Sequence, residues 1–168
     1  MTDHADPESS RCRIDVYAPS VIDVVECTGA WIFDHVMAGW DVRVSIPAPF
    51  DDRPLRILGA ESGALEVMLH TTPAPAPAAI LISSDLITSD IRVRARSTDA
   101  LRGGTIAVTT WGQSCPAGLA QHSRVTEYQP SVAAATFKFY ALAAAGGSPQ
   151  CARSPEVLYR SAAQYAFG

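Results

Sequence analysis

Hydroxyl and carboxyl groups follow the most apolar run of the sequence. This run, AAILISS, ends in Ser83 and Ser84, and Asp85 comes next. Two hydroxyls and a carboxylate at the end of a strand can bind a polar ligand, and Asp85 with water as co-ligand can hold a divalent cation. The same residue types commonly satisfy loop amides and cap helices. The segment therefore has two alternative interpretations, a polar binding site and a purely structural role.

A second segment, TTWGQSCPAG, offers a hydroxyl, an aromatic ring and a thiol. We expect Thr110, Trp111 and Gly112 to contribute to the same ligand site, with the indole stacking on a base or a sugar. Cys115 would be a nucleophile only with a base in hydrogen-bond reach, and His122 is the histidine nearest to it along the chain. The alternative is that Cys115 is a small buried hydrophobic residue.

Familiar signatures of catalysis and cofactor binding are absent from the sequence. There is no GxxxxGK[ST] or GxGxxG phosphate loop and no GxSxG nucleophile motif. The four cysteines are far apart, and none stands at a metal-ligand spacing from a histidine. We therefore assign no catalytic residue, no metal and no cofactor. The segment GAESG indicates a tight turn between a strand and a helix, with phosphate binding as the lesser alternative.

Alternating strand and helix signals must position these residues. Strands are expected at RIDVYAP, WDVRVSI, LRILGA, AAILISS, TIAVTTWG and SRVTEYQ. Helices are expected after Ser20, at ESGALEVMLH and at PSVAAATFKFYALAAAGG, and SPEVLYRSAAQYAF is expected to be a last short helix or an ordered tail. This order predicts an α/β fold, a three-layer sandwich with a mainly parallel sheet, Rossmann-like or flavodoxin-like.

Residues 89–102 carry both strand and helix signals. Three arginines, Arg92, Arg94 and Arg96, alternate with apolar residues as in a strand, whereas a capping serine at 89 and a glycine at 103 favour a helix. We choose the helix, because a crossover is needed before the next strand. If the segment is a helix, the arginines would be spread over the surface and solvated. If it is a strand, they would line one face and meet an acidic partner or a phosphate.

In an open parallel sheet, ligands bind beyond the carboxyl ends of the strands. That rule selects the outgoing segments APS, GAESG, SSDLITSD and TTWGQSCPAG. The two later segments share a rim only if segments 80–83 and 105–110 run parallel. The first helix should begin at Ser20, which caps it with Asp23, and end at Gly39. We expect Gly29 to allow close approach to a strand, and Trp31 and Trp40 to cover the seam between helix and sheet.

Composition limits the classes of function. The chain has 168 residues and a net charge of −4, which argues against general nucleic-acid binding. Its polar start is not a secretory signal, and no apolar run is long enough to span a membrane, so we expect a cytoplasmic protein. Only one lysine stands beside twelve arginines, as in a GC-rich bacterial genome. Residues 1–11 are predicted to be a disordered tail, and 12–168 a single α/β domain.

Two hypotheses of function follow. The main one is a non-catalytic α/β module that binds a protein partner or itself, with or without a small regulatory ligand. It rests on the lack of a convergent acid, base and nucleophile, and on Phe137 and Phe139. These two residues cannot share a helix face, so one of them would lie at a homodimer contact. The alternative is a small enzyme, or a metabolite-binding or nucleotide-binding domain, that uses the loops at the carboxyl ends of the strands.

Overall fold

The computed structural model describes residues 11–121 and 123–161. The predicted tail therefore lies, apart from Arg11, outside the described residues. In chain order the elements are β1 (Arg13–Tyr17), α1 (Val21–Met37), β2 (Asp41–Ile46), α2 (Arg53–Ile57), β3 (Glu61–Ala64), α3 (Leu65–Leu69), β4 (Ala79–Ser83), α4 (Ser84–Ser89), α5 (Ile91–Gly103), β5 (Ala107–Trp111), α6 (Ala117–Ala120), β6 (Ser123–Tyr128), α7 (Val132–Ala145), a 3₁₀ helix (Pro149–Arg153) and β7 (Glu156–Ser161).

The described strands form one seven-stranded sheet in the order β3-β2-β1-β4-β5-β7-β6. The pairs from β3 to β5 are parallel, and β7 runs antiparallel to both β5 and β6. The predicted α/β fold with a mainly parallel sheet is confirmed. Segments 80–83 and 105–110 are also parallel as expected, because Ser83 pairs with Trp111 at the ends of β4 and β5.

Side-chain alternation gives the sheet two apolar faces. On β1, Ile14 and Val16 join one core cluster together with residues of α1, α2 and α7. Tyr17, on the other face, joins a second cluster with residues of α3, α4 and α5. Trp31 lies within α1 and Trp40 between α1 and β2, and both are partly buried against the first cluster. No helix in the described ranges combines the length and apolar character that crossing a membrane requires.

Helix ends follow their capping signals. Ser20 caps α1 by accepting the N–H of Asp23, and Ser131 caps α7 in the same way. Residues 91–103 are helical, which settles the ambiguity in favour of the helix, although Asp90 rather than Ser89 is the cap.

Four element assignments made from the sequence are wrong. LRILGA is not a strand: α2 (Arg53–Ile57) covers its first three residues and Leu58 is the C-cap, because Pro54 suits a first helical turn and Leu55 and Leu58 are both fully buried at helical spacing. ESGALEVMLH is helical only at Leu65–Leu69, because its first four residues form β3. SSDLITSD is not a loop, since α4 begins immediately after β4. The final segment forms strand β7 at Glu156–Ser161, which pairs between β5 and β6 with Glu156 and Leu158 alternating inward, and residues 162–167 lie outside the described residues.

Candidate functional site

A crevice is expected where the strand order reverses. The chain moves from β1 to β2 and β3 in one direction along the sheet, and from β4 to β5 in the other. The segments that leave β1 and β4 therefore diverge, and the space between them is the usual ligand position in open parallel sheets. Here those segments carry Ser20 and Asp23 on one side and Ser84 and Asp85 on the other.

Asp23 is held in the first turn of α1 by contacts from two other residues. Its Oδ2 accepts a hydrogen bond of 2.9 Å from Nε1 of Trp111 at the end of β5. Its Oδ1 lies 3.9 Å from the thiol of Cys27, one turn further along the helix. Burial raises the pKa of the Asp23 carboxyl, and the charges of Asp85 and Glu26 raise it further, while the indole hydrogen bond opposes them.

Asp85 stands across the crevice in the first turn of α4. It is exposed, and it is close enough that its charge contributes to the raised pKa of Asp23. One carboxyl group is thus partly buried and tied to the protein, and the other is open to solvent. Two carboxyl groups in such unlike surroundings are the arrangement from which proteins build acid and base pairs.

The ends of β4 and β5 meet closely beside this pair. Gly112 has a positive φ of 139°, and a Cβ on it would lie 2.9 Å from Cβ of Ser84. Only glycine suits that position, because both the backbone conformation and the space exclude a side chain. The hydroxyls of Ser84 and of Thr110 are buried and have no hydrogen-bond partner in the protein.

The six residues predicted to bind a ligand occupy different depths of this rim. Ser83, Thr110 and Trp111 are buried, at 1%, 2% and 0% exposure. The ring of Trp111 therefore has no free face for a base or sugar, which corrects the stacking role expected of it. It packs in the core and orients Asp23 instead.

Of the other three predicted residues, Ser84 is also buried, at 6% exposure, whereas Gly112 is half-buried and Asp85 is exposed. Their binding of a ligand stays a prediction.

Of two other expectations from the sequence, the structure contradicts one and agrees with the other. GAESG was expected to leave the carboxyl end of a strand, but it leads from α2 into β3 and so lies at the amino end of that strand. Cys115 is partly buried against the second core cluster, in keeping with a small hydrophobic residue. Its suggested base, His122, lies outside the described residues.

A cavity of about 430 Å³ opens beside the first turn of α1. Ser20 lines it together with Ile22, and its other walls come mostly from the proline-rich segment after β2 and from the end of α7. Apart from Ser20 and Asp51 the walls are largely apolar. The cavity thus lies on the β2 side of the first turn of α1, and neither Asp23 nor Asp85 lines it. A larger cavity of about 580 Å³ lies elsewhere, between α3, α5 and the proline segment before β4.

The sequence interpretation missed Asp23 as a site residue. Ser20 and Asp23 were recognised only as a helix cap, and the cap is real. The signal that could have found the site was the position of an acidic residue directly after the first strand, where a parallel sheet binds ligands. The contact between Asp23 and Trp111 spans 88 residues, and no local pattern reveals it.

Comparisons with known proteins found relatives only by structure. No protein-family model matches the sequence, and no curated protein matches it either. A deacetylase triple mutant from the teicoplanin biosynthetic pathway superposes with a TM-score of 0.61 at 12% identity, covering 89% of this chain and 97% of the other. The deacetylase of the A40926 pseudoaglycone gives 0.61 at 16% identity, covering 90% and 97%.

A third similar structure, described as the zinc-inhibited form of teicoplanin deacetylase, has a TM-score of 0.56 at 12% identity and covers 88% of this chain and 97% of its own. In the described part of our chain, no three histidine, cysteine, aspartate or glutamate side chains lie together as a metal site requires. These residues do not fit a bound metal ion, and no chemical step is assigned to one.

The structural relatives overturn the main functional hypothesis. A non-catalytic module was inferred from the absence of motifs, yet the solved structures that share this fold are described as deacetylases. The alternative, a small enzyme or ligand-binding domain using the carboxyl ends of the strands, agrees better with them. At 11–16% sequence identity, the similarity to these structures shows the fold alone.

Proposed function

We propose that this chain is a small hydrolase that removes an acyl group from an amide-bearing metabolite in the crevice between β1 and β4. The observation that carries the proposal is the pair of Asp23 and Asp85 on the two sides of the point where the strand order reverses. The fold shared with deacetylases supports the reaction class. The apolar cavity beside Ser20 supports a substrate with one polar and one apolar part.

The chemistry assigned to Asp23 is general base catalysis. Its carboxylate accepts a proton from water while the water oxygen bonds to the amide carbon. The carbon–nitrogen bond then breaks, and the proton passes from Asp23 to the departing nitrogen, which leaves a carboxylic acid and an amine. A raised pKa suits this role, because a base is most effective when its pKa lies nearer to the working pH. The charge of Asp85 strengthens the base by raising its proton affinity.

Release of acetate from a panel of N-acetylated sugars and N-acetylated amino acids tests the proposal. We expect turnover of at least one compound, a loss of about a hundredfold or more in Asp23→Asn, and a smaller loss in Asp85→Asn. Asp99→Asn is the matched control, because Asp99 is an exposed carboxylate on α5, away from the crevice. Turnover that survives Asp23→Asn would contradict the mechanism. A compound that stabilises the protein without being hydrolysed would reduce the function to metabolite binding.

Further features belong to the same proposal. The strand order and the helices packed on both sheet faces support a three-layer, Rossmann-like arrangement, with 12–168 as one domain.

Phe137 stacks on Phe33 at 4.5 Å and is 43% exposed, while Phe139 is 46% exposed. A homodimer through one of these rings is retained as a proposal, and sedimentation of Phe139→Ser against wild type tests it. The cytoplasmic location and the bacterial source stay predictions.

A further inference from the structure

Two amides in the interior of α1 donate to a side chain of another element. The N–H of Ala30 donates to Oε1 of Glu156 at 2.8 Å, and the N–H of Trp31 donates to Oε2 of the same residue at 2.9 Å. In a regular α-helix the amide of Ala30 donates to the carbonyl of Glu26. That carbonyl also accepts a bond of 2.6 Å from Nζ of Lys138.

Lys138 and Glu156 also pair with each other. We call this insertion of two side chains between backbone groups of α1 the interruption of the helix. Nζ of Lys138 lies 2.7 Å from Oε1 of Glu156, and both side chains are 1% exposed. A chain of three contacts through Lys138 and Glu156 thus connects the carbonyl of Glu26 with the amide of Ala30. Gly29 lies beside this chain, since a Cβ there would be in van der Waals contact with Cγ of Lys138 at 3.4 Å. The glycine therefore faces a lysine stem from α7, not the strand expected from the sequence.

Stability alone is a poor reason for such an arrangement. Removing two charges from water costs free energy, and a well-packed apolar pair of similar size often stabilises a protein equally well. What the ion pair adds is a defined geometry, because each of its contacts to α1 has a fixed direction. Interruptions of the helical ladder bend or re-aim the adjoining turns, and they occur frequently at functional sites.

The interruption lies one turn after the candidate base. Asp23 and Glu26 belong to the same opening segment of α1, and Lys138 holds that segment at the carbonyl of Glu26. The other end of the segment is fixed by the cap at Ser20. Between these two points, the carboxyl of Asp23 reaches Nε1 of Trp111. The orientation of Asp23 thus depends on where the ion pair interrupts the helix.

We infer that Lys138 and Glu156 are positioning residues for Asp23, which they aim at Trp111 and the crevice by interrupting α1. The inference rests on the proposed function for its purpose, although not for its geometry. Neither residue reaches the substrate, and both act through the opening segment of α1.

The double variant Lys138→Met/Glu156→Leu tests the inference. It removes one charge of each sign, so the net charge is unchanged, and it removes the side-chain partners of the Ala30 amide and the Glu26 carbonyl. The readout is the indole N–H resonance of Trp111 across pH by nuclear magnetic resonance, assigned with Trp111→Phe, because that proton reports the ionisation of Asp23. We expect the midpoint to move by about half a pH unit or more, about threefold in the protonation equilibrium.

A folded double variant with an unchanged midpoint would overturn the inference. Should it not fold, Glu156→Gln keeps the shape of the side chain and removes its charge, and the same shift is expected there. The matched control is Arg56→Met/Asp52→Leu, an exposed ion pair whose loss should leave the midpoint where it is.

Failure of this inference is distinguishable from failure of the proposed function. The indole titration needs no substrate, so a shifted midpoint together with no acyl hydrolysis supports positioning and removes the enzymatic proposal. Hydrolysis together with an unchanged midpoint supports the enzymatic proposal and contradicts the positioning role.

Discussion

Nε1 of Trp111 donates a 2.9 Å hydrogen bond to Oδ2 of Asp23, and thereby ties the last residue of β5 to the first turn of α1. The indole is completely buried, while the carboxyl it holds lies at the edge of the crevice. A core residue thus sets the position of the group to which we assign the chemistry. Each half of this contact can be tested separately.

Trp111→Phe should destabilise the protein by about 2–3 kcal/mol, because it leaves space in the core and removes a donor from a partly buried carboxylate. The pKa of Asp23 should rise further, since the indole hydrogen bond lowers it. Urea unfolding measures the first effect. Trp40→Phe is the control: Trp40 is only partly buried, so its loss should cost less than about 1 kcal/mol. Equal costs at the two positions would contradict this view of Trp111.

Asp23→Asn should be more stable than wild type at neutral pH. A carboxyl whose pKa is higher in the folded state than in the unfolded state binds its proton more tightly when folded, so stability falls as pH rises through that range. Asparagine cannot titrate and avoids this loss. The advantage should vanish below the ordinary aspartate pKa of about 3.9.

Urea unfolding of Asp23→Asn at pH 7 and at low pH checks the expectation. Ser20→Ala serves as the control in the same turn, because it removes an uncharged cap and should cost about 1 kcal/mol at both pH values. A stability gain in Asp23→Asn that is independent of pH would show that charge is not its cause.

Gly112→Ala should destabilise the protein by about 1–3 kcal/mol, through strain at its positive φ and crowding against Ser84. Gly118→Ala is a matched control, since nothing lies within 4 Å of a Cβ placed at that glycine. Thermal unfolding of both variants measures the difference. A neutral Gly112→Ala would mean that the ends of β4 and β5 are less closely packed than described.

Lys138→Met alone should cost about 3–5 kcal/mol at neutral pH, because it leaves the carboxylate of Glu156 buried without its cation. Burial raises the pKa of Glu156, whereas Lys138 lowers it, so in the variant this pKa rises further. The folded variant then holds the proton of Glu156 over a wider pH range, and the cost should shrink on acidification.

Urea unfolding of Lys138→Met at pH 7 and pH 5 measures this cost and its pH dependence. Arg153→Met, an exposed cation on the neighbouring 3₁₀ helix, should change stability by less than about 0.5 kcal/mol. A similar small change in Lys138→Met would refute the view that the ion pair is a coupled buried unit.

Local signals predicted the elements they govern. Ser20 and Ser131 cap helices because a serine hydroxyl accepts an amide within three residues. The run in β4 is apolar throughout, as expected of a strand buried on both faces. The errors occurred in short segments, where a few apolar residues suit either period. Leu55 in α2 and Leu58 at its C-cap belong to such a segment, and only their packing decides between strand and helix.

The candidate site could be predicted only in part. Asp85 was found because it follows an evident strand, and the rim it shares with Gly112 follows from the parallel pairing of β4 and β5. Asp23 was overlooked because its capping position explained it locally. The buried pair of Lys138 and Glu156 left no signal, since a lysine in an apolar helix and a glutamate in the final segment have no apparent relation until β7 inserts beside α1.

The sequence by itself determined the class of fold, the ends of the long helices and the rim where polar residues gather, because caps and apolar periodicity act over a few residues. Tertiary structure decided which carboxyl groups face each other, which tryptophan orients Asp23, and how an ion pair interrupts α1. Those contacts join residues as far as 126 positions apart. Their energies depend on burial and direction, which are properties of the packed chain and not of any short segment.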